Sequence, residues 1–217
     1  ALISCATSRS TARPETSSAA EVVGEPSYRT VERAPTAEES RPDVPFDPFD
    51  PFVALRVSDA DREAVAGAYD VKIEATTPAF VGDFATEDGA ELAVVSSSGE
   101  LAIVAADGEV VARRAVGLLD PEVPPRAARL VDDRVDLVVV HRESADAPRT
   151  LSVFRVIGES VAQVFTANLD ESTVEFVHRG DERAIRVGHS DQADVYRWNR
   201  WEGVFRIPRP APTAPRR

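Results

Sequence analysis

A unit of four short apolar runs separated by turn residues recurs three times between residues 78 and 207, and this repeat limits the possible folds more than any other feature of the chain. The first copy occupies residues 78–84, 91–95, 100–104 and 109–113, joined through the hairpin signals Asp88-Gly89, Ser98-Gly99 and Asp107-Gly108. The second occupies 127–131, 135–141, 151–156 and 160–166, turning last at Ile157-Gly158. The third occupies 173–177, 183–187, 194–198 and 204–207, turning last at Glu202-Gly203. Runs of this length, rich in Val and Ile and bounded by Asp, Gly, Ser and Asn, are strands rather than helices. Four-strand units spaced about 40 residues apart are the pattern of propeller blades. The expected fold is all-β, with antiparallel four-stranded meanders repeated about three times in a propeller-like or partial-propeller arrangement. One short helix is expected before them over residues 58–69, where Ser58, early acids and Gly67 supply a start and an end. Residues 71–75, with 53–57, are expected to supply part of a fourth unit.

In the first copy, Gly82-Asp83-Phe84 opens a loop that reaches Asp88-Gly89 and then the apolar run Glu91-Leu92-Ala93-Val94-Val95. This stretch resembles the FG-GAP or VCBS repeat family, and Asp132-Asp133-Arg134-Val135-Asp136-Leu137-Val138 echoes it in the second copy. The resemblance implies a binding or adhesion propeller whose acidic loop holds calcium, with Asp83, Glu87 and Asp88 as oxygen ligands of the kind a hard cation needs. Ala85 stands where the family places the second carboxylate of its Asp-x-Asp pair. Without calcium these side chains are solvated turn acids, and no other cofactor is expected.

The single cysteine lies in Leu2-Ile3-Ser4-Cys5. This resembles a bacterial lipobox, which implies that Cys5 is the first mature residue and carries the lipid. Ala6 in the next position implies the outer membrane, facing the periplasm or the cell surface, and two or three acyl chains anchor stably. From Ala6 onward the composition is Ser, Thr, Ala, Pro and Glu with no sustained apolar period, so residues 1–52 are expected to be a disordered tether. Residues 53–208 form the β-repeat domain, and 209–217 a Pro- and Arg-rich tail. Within the tether, Phe46, Phe49 and Phe52 recur every third residue among prolines. On an extended path the three rings share one side, where they bind a partner or pack on the domain's own sheets.

Charge narrows the partners. With 37 acidic and 25 basic residues the chain carries −12, which excludes nucleic acid as a partner because duplex binding needs a basic footprint. One cysteine leaves no disulfide within the chain and no Cys-based zinc site. Both tryptophans lie in Tyr196-Arg197-Trp198-Asn199-Arg200-Trp201. Trp198 is expected in the core, and Trp201 with Arg200 is a candidate contact for an envelope protein or a glycan. No nucleophile elbow, phosphate loop or His-Glu-x-x-His spacing is present. The reading is thus a binding or scaffold module of the cell envelope rather than an enzyme. Two alternatives remain at this level: a structural subunit of a multiprotein envelope complex, and a hydrolase with a site near His178, Asp181 and His189.

Overall fold

The middle repeat contains nearly unbroken buried runs where the last repeat alternates, and the reason is its position between two other sheets. A computed structural model describes residues 43–49, 54–85, 89–179, 182–189 and 192–208, with the side chains of Arg179 and His189 excepted. Cys5, Phe52, Glu87, Asp88 and Asp181 lie outside the described residues, as do most of the expected tether and the tail.

The chain begins with two short strands, β1 (Val44–Pro45) and β2 (Leu55–Arg56), and one helix, α1 (Arg62–Ala68). The first repeat then forms β3 (Ala79–Gly82), β4 (Glu91–Val95), β5 (Glu100–Val104) and β6 (Val110–Ala115). Two short strands, β7 (Leu118–Leu119) and β8 (Arg126–Ala128), lead into β9 (Asp136–Arg142), β10 (Thr150–Ile157) and β11 (Ser160–Asn168). The last repeat is β12 (Thr173–Arg179), β13 (Glu182–His189), β14 (Gln192–Asn199) and β15 (Val204–Arg206). Each repeat is an antiparallel meander widened to five strands. The first sheet runs β2-β3-β4-β5-β6, and the last runs β1-β12-β13-β14-β15. In the middle sheet β11-β10-β9 is flanked by β7 and β8, which both pair with β9. The expected all-β repeat of four-stranded meanders is the fold observed.

The sheets stack face to face, as neighbouring propeller blades do. Leu137, Val139, Phe154 and Val156 of the middle sheet pack on Phe80, Ala93, Leu101 and Ile103 of the first. Val138, Val140, Leu151 and Val153, alternating with them, pack on Ile185, Val187 and Phe205 of the last. A strand covered on both faces has no solvent side on which to place polar residues, so β9 and β10 are buried along almost their whole length. The outer face of the first sheet is covered by Val65 of α1 and by Val71 and Ile73, over Tyr69, Leu92 and Val104. The opposite end of the stack is polar: Glu175 pairs with Arg186 at 3.5 Å, Glu182 with Arg197 at 3.5 Å, and Glu202 with Arg206. Such exposed pairs add little stability, and among the described residues no further sheet packs on their face.

Two expectations are corrected. Residues 71–75 form no strand; Val71 and Ile73 pack on the first sheet without a ladder, and Arg62 holds the segment by donating to the carbonyls of Glu74 and Thr77 at 2.9 and 2.7 Å. β2 joins the first sheet through Leu55↔Val81 and Arg56↔Phe80, so the described residues contain no fourth unit. The helix starts later than expected, because Ser58 accepts from the Asp61 N–H and closes a turn ahead of it. Among the described residues no helix is long and apolar enough to cross a membrane.

Segment 43–49 belongs to the β fold. β1 pairs with β12 at Val44↔His178 and Pro45↔Val177, and the Phe46 N–H donates to the Phe176 carbonyl at 3.0 Å. Proline is tolerated here because β1 is an edge strand.

Candidate functional site

Antiparallel meanders bring alternate loops to the same end of a sheet, and here those loops meet across all three sheets. The Val135 N–H donates to the Asp83 carbonyl at 2.7 Å, joining the first sheet to the middle one. The Arg183 guanidinium donates to the Arg129 carbonyl at 3.0 Å, joining the middle sheet to the last. Between these last two lies a cleft of about 490 Å³ walled by Leu130, Val131, Asp132 and Asp133 on one side and Glu182, Arg183, Trp198 and Arg200 on the other. It adjoins a hollow of about 500 Å³ that wraps the β14–β15 turn past Asn199, Trp201 and Ile207.

The turn is fixed by one side chain. Asn199 Oδ1 accepts from the N–H groups of Trp201 and Glu202 at 3.0 and 3.3 Å, and the Gly203 N–H donates to the Asn199 carbonyl at 2.8 Å. Asn at the start of a turn is suited to this bonding. The backbone under Trp201 is thereby held while its side chain is 98% exposed. Trp198 is part of the core as expected, edge-on to Phe205 with ring centroids 5.4 Å apart.

Behind Trp198 sits a charge cluster. Arg155, almost completely buried, lies 5.5 Å from the Trp198 ring centroid and donates to Asp136 at 3.0 Å and to Asp132. Asp136 is fully buried and also accepts from the Leu130 N–H at 3.0 Å. Burial pushes its carboxyl up to about 6 despite Arg155. At Asp132 burial acts in the same direction but is outweighed by hydrogen bonds from Arg155 and the Arg134 N–H, which hold it below the usual range.

The expected residues fall in different places. Phe46 and Phe49 pack on Phe176 with centroids 6.5 and 5.5 Å away, and the Arg126 guanidinium covers Phe49 at 3.6 Å. Asp83 contributes its backbone carbonyl, while its carboxyl is pushed up by burial and by Glu91. Glu91, itself buried, accepts from the N–H groups of Phe84 and Ala85 at 2.8 and 3.1 Å and so shapes the acidic loop. Among the described residues no group of three or more carboxylates, histidines or thiols converges as a metal site. His178 and His189 do not converge either: His178 is opposite Arg183, at one end of β13, and β13 runs on to His189 at the other, roughly 20 Å away. The His178 ring lies 4.3 Å from Phe46.

His141 is buried between the first and middle sheets, where its Nε2 bonds Ser152 Oγ at 2.9 Å and its Nδ1 has no partner. Burial holds this ring below its ordinary 6.5, against a smaller opposing effect of Glu143. A histidine neutral in the fold and free to charge when unfolded contributes stability that is full above 6.5 and lost as the pH falls below it. Asp136 acts oppositely: its contribution is full below 3.8 and lost as the pH rises through about 6. The His141 effect is therefore expected as a difference. From about pH 7 to about pH 5, urea unfolding should show the native chain losing stability relative to His141→Gln; parallel curves would mean that His141 is not the source.

Sequence reading found Trp201 and Arg200 but not Arg183, Asp132, Asp133 or Asn199, which come from the start of β13, the loop before β9 and the end of β14. Asn199 alone carried a local signal, as a turn-initiating residue. No protein-family model, curated protein or solved structure matches the chain. The class it defines is an all-β, propeller-like stack with a cleft at its loop end.

Proposed function

We propose that the chain is a recognition and scaffold module of the bacterial cell envelope, attached through a lipid on Cys5, that meets its partner with the loop end of the stack. Trp201 carries this reading. A tryptophan 98% exposed on a turn pinned by Asn199, beside a cleft, has the form of an interface hot spot. The FG-GAP-like reading of the first repeat is supported by the burial of Phe84 in the core beside Glu91, which caps the loop. Calcium at Asp83 is not required by it. The alternative of a subunit completed by a neighbour's strand is less well supported, because β1, β2, β7 and β8 already cover one edge of each sheet. The hydrolase alternative loses its main premise with the separation of His178 from His189.

The test is a photoreactive amino acid placed at Trp201 in living cells, with Ser97, exposed at the opposite end of the first sheet, as control. Crosslinked adducts in the membrane fraction are expected from position 201 and not from 97. Adducts from 97 alone would reverse the assignment of the face. A chain that stays in the soluble fraction, unchanged by Cys5→Ser, would remove the lipid anchor.

A further inference from the structure

We propose that the cleft between the middle and last sheets, together with the hollow it adjoins at the β14–β15 turn, binds an acidic glycan, with one sugar ring stacked on Trp201 in the hollow and a uronate carboxylate held in the cleft by Arg183 and Arg200. This rests on the preceding reading in placing recognition at the loop end, and adds the class of ligand.

Charge pairing leaves two guanidinium groups uncommitted at this cleft. Asp132 is engaged by Arg155 and Arg134, Glu182 by Arg197, and Glu202 by Arg206. By contrast, among the described residues Arg183 donates only to the neutral carbonyl of Arg129, and Arg200 has no hydrogen bond or ion pair. Both line the same wall as Trp198. Of the five charged side chains that line the cleft, Arg183, Arg200 and Asp133 have no ion-pair partner among the described residues, an excess of one positive charge that in a chain of net charge −12 favours an anion. The planar guanidinium fork matches a carboxylate in two hydrogen bonds. Asp133, exposed on the facing wall, can accept from sugar hydroxyls.

The remaining lining favours a sugar over a peptide. Polar side chains and the two indole rings make up most of the cleft and the adjoining hollow, whose aliphatic side chains are Leu130 and Val131 in the one and Ile207 and Pro208 in the other. A peptide strand would need a free sheet edge, but the nearest, β15, is three residues long and is soon followed by Pro208. An exposed indole face instead suits the apolar C–H face of a pyranose, which keeps its hydroxyls in water. The volume lies within the range of sites for small ligands.

The chain's only two tryptophans are at this site, so their emission reports on it. Titrating trigalacturonate into the 217-residue chain should give a saturable change in that emission. Maltotriose, its neutral counterpart, should give none. Arg200→Gln should weaken binding about tenfold or more by calorimetry, as should Trp201→Ala, with the unfolding transition unchanged because neither side chain packs in the core. Added salt should weaken it too. An equal response to maltotriose, or equally tight binding of a glutamate-rich peptide, would overturn the proposal. So would the absence of saturable binding. Failure here alongside protein adducts from position 201 removes the glycan and leaves the recognition face standing; failure of both experiments removes both.

Discussion

Replacing Arg155 with methionine is expected to destabilise the domain by about 3–5 kcal/mol, because it leaves the Asp136 carboxylate fully buried beside an uncharged neighbour. The pair itself need not be a large net stabiliser, since taking both charges out of water offsets much of their attraction. Removing one partner exposes that cost without its compensation. The double variant Arg155→Met/Asp136→Asn is expected to recover a substantial part, because asparagine can still accept from the Leu130 N–H without carrying charge. Urea unfolding of the chain, both single variants and the double would measure the coupling. A loss below about 1 kcal/mol for Arg155→Met would show that water reaches Asp136. Trp198, against which Arg155 lies, should shift its emission in the same variant.

Gly99→Ala is expected to be comparably severe, about 3–5 kcal/mol, for a backbone reason. Gly99 sits at φ +77°, and a Cβ there would fall 1.8 Å from the Gly117 carbonyl oxygen. The Val116 N–H also donates to the Gly99 carbonyl at 2.7 Å, so the β4–β5 turn is locked against the link between β6 and β7. Gly117, at φ +104°, in turn faces the Arg142 carbonyl, which lies 2.6 Å from its own would-be Cβ. Neither backbone can retreat. Gly158→Ala is the control: it shares a positive φ of +60° but has no atom within 4 Å of a new Cβ, so about 1 kcal/mol is expected. Equal losses in the two variants would show that backbone conformation alone, and not the contact, sets the cost.

The difference between those glycines shows where sequence reading stops. Ser98-Gly99 and Ile157-Gly158 are both legible as turns, since turn chemistry is local. That Gly99 abuts Gly117 depends on the register of β5 on β6, which sets Glu100 against Ala115 and which no short window of sequence contains. The meanders were legible because strand period and turn residues recur together. Residues 71–75 share the strand period, yet Val71 and Ile73 meet it by packing near α1, so the same pattern misled. β1 was not legible because a Pro-rich stretch of two paired residues carries no period at all. Asp136 and Arg155 are charges inside apolar runs that the sequence analysis did not single out, and only the pairing of β9 with β10 shows that they are partners. The cleft and the hollow beside it combine one loop with the ends of β13 and β14, and as a contact surface they were legible only at Arg200 and Trp201.

The pairing of β1 with β12 also decides where tension enters the domain. Among the described strands, a pull from the N-terminal side meets β1 first, where Val44 and Pro45 are joined to the last sheet over two residues and continue into the Phe46 bond. So short a ladder yields before the long ones behind it. Its release would draw Phe46 and Phe49 off Phe176 and uncover the edge of β12, while β13 to β15 and the turn bearing Trp201 keep their own pairing. β1 would then act as a mechanical fuse, giving way at low force so that the binding end of the molecule does not.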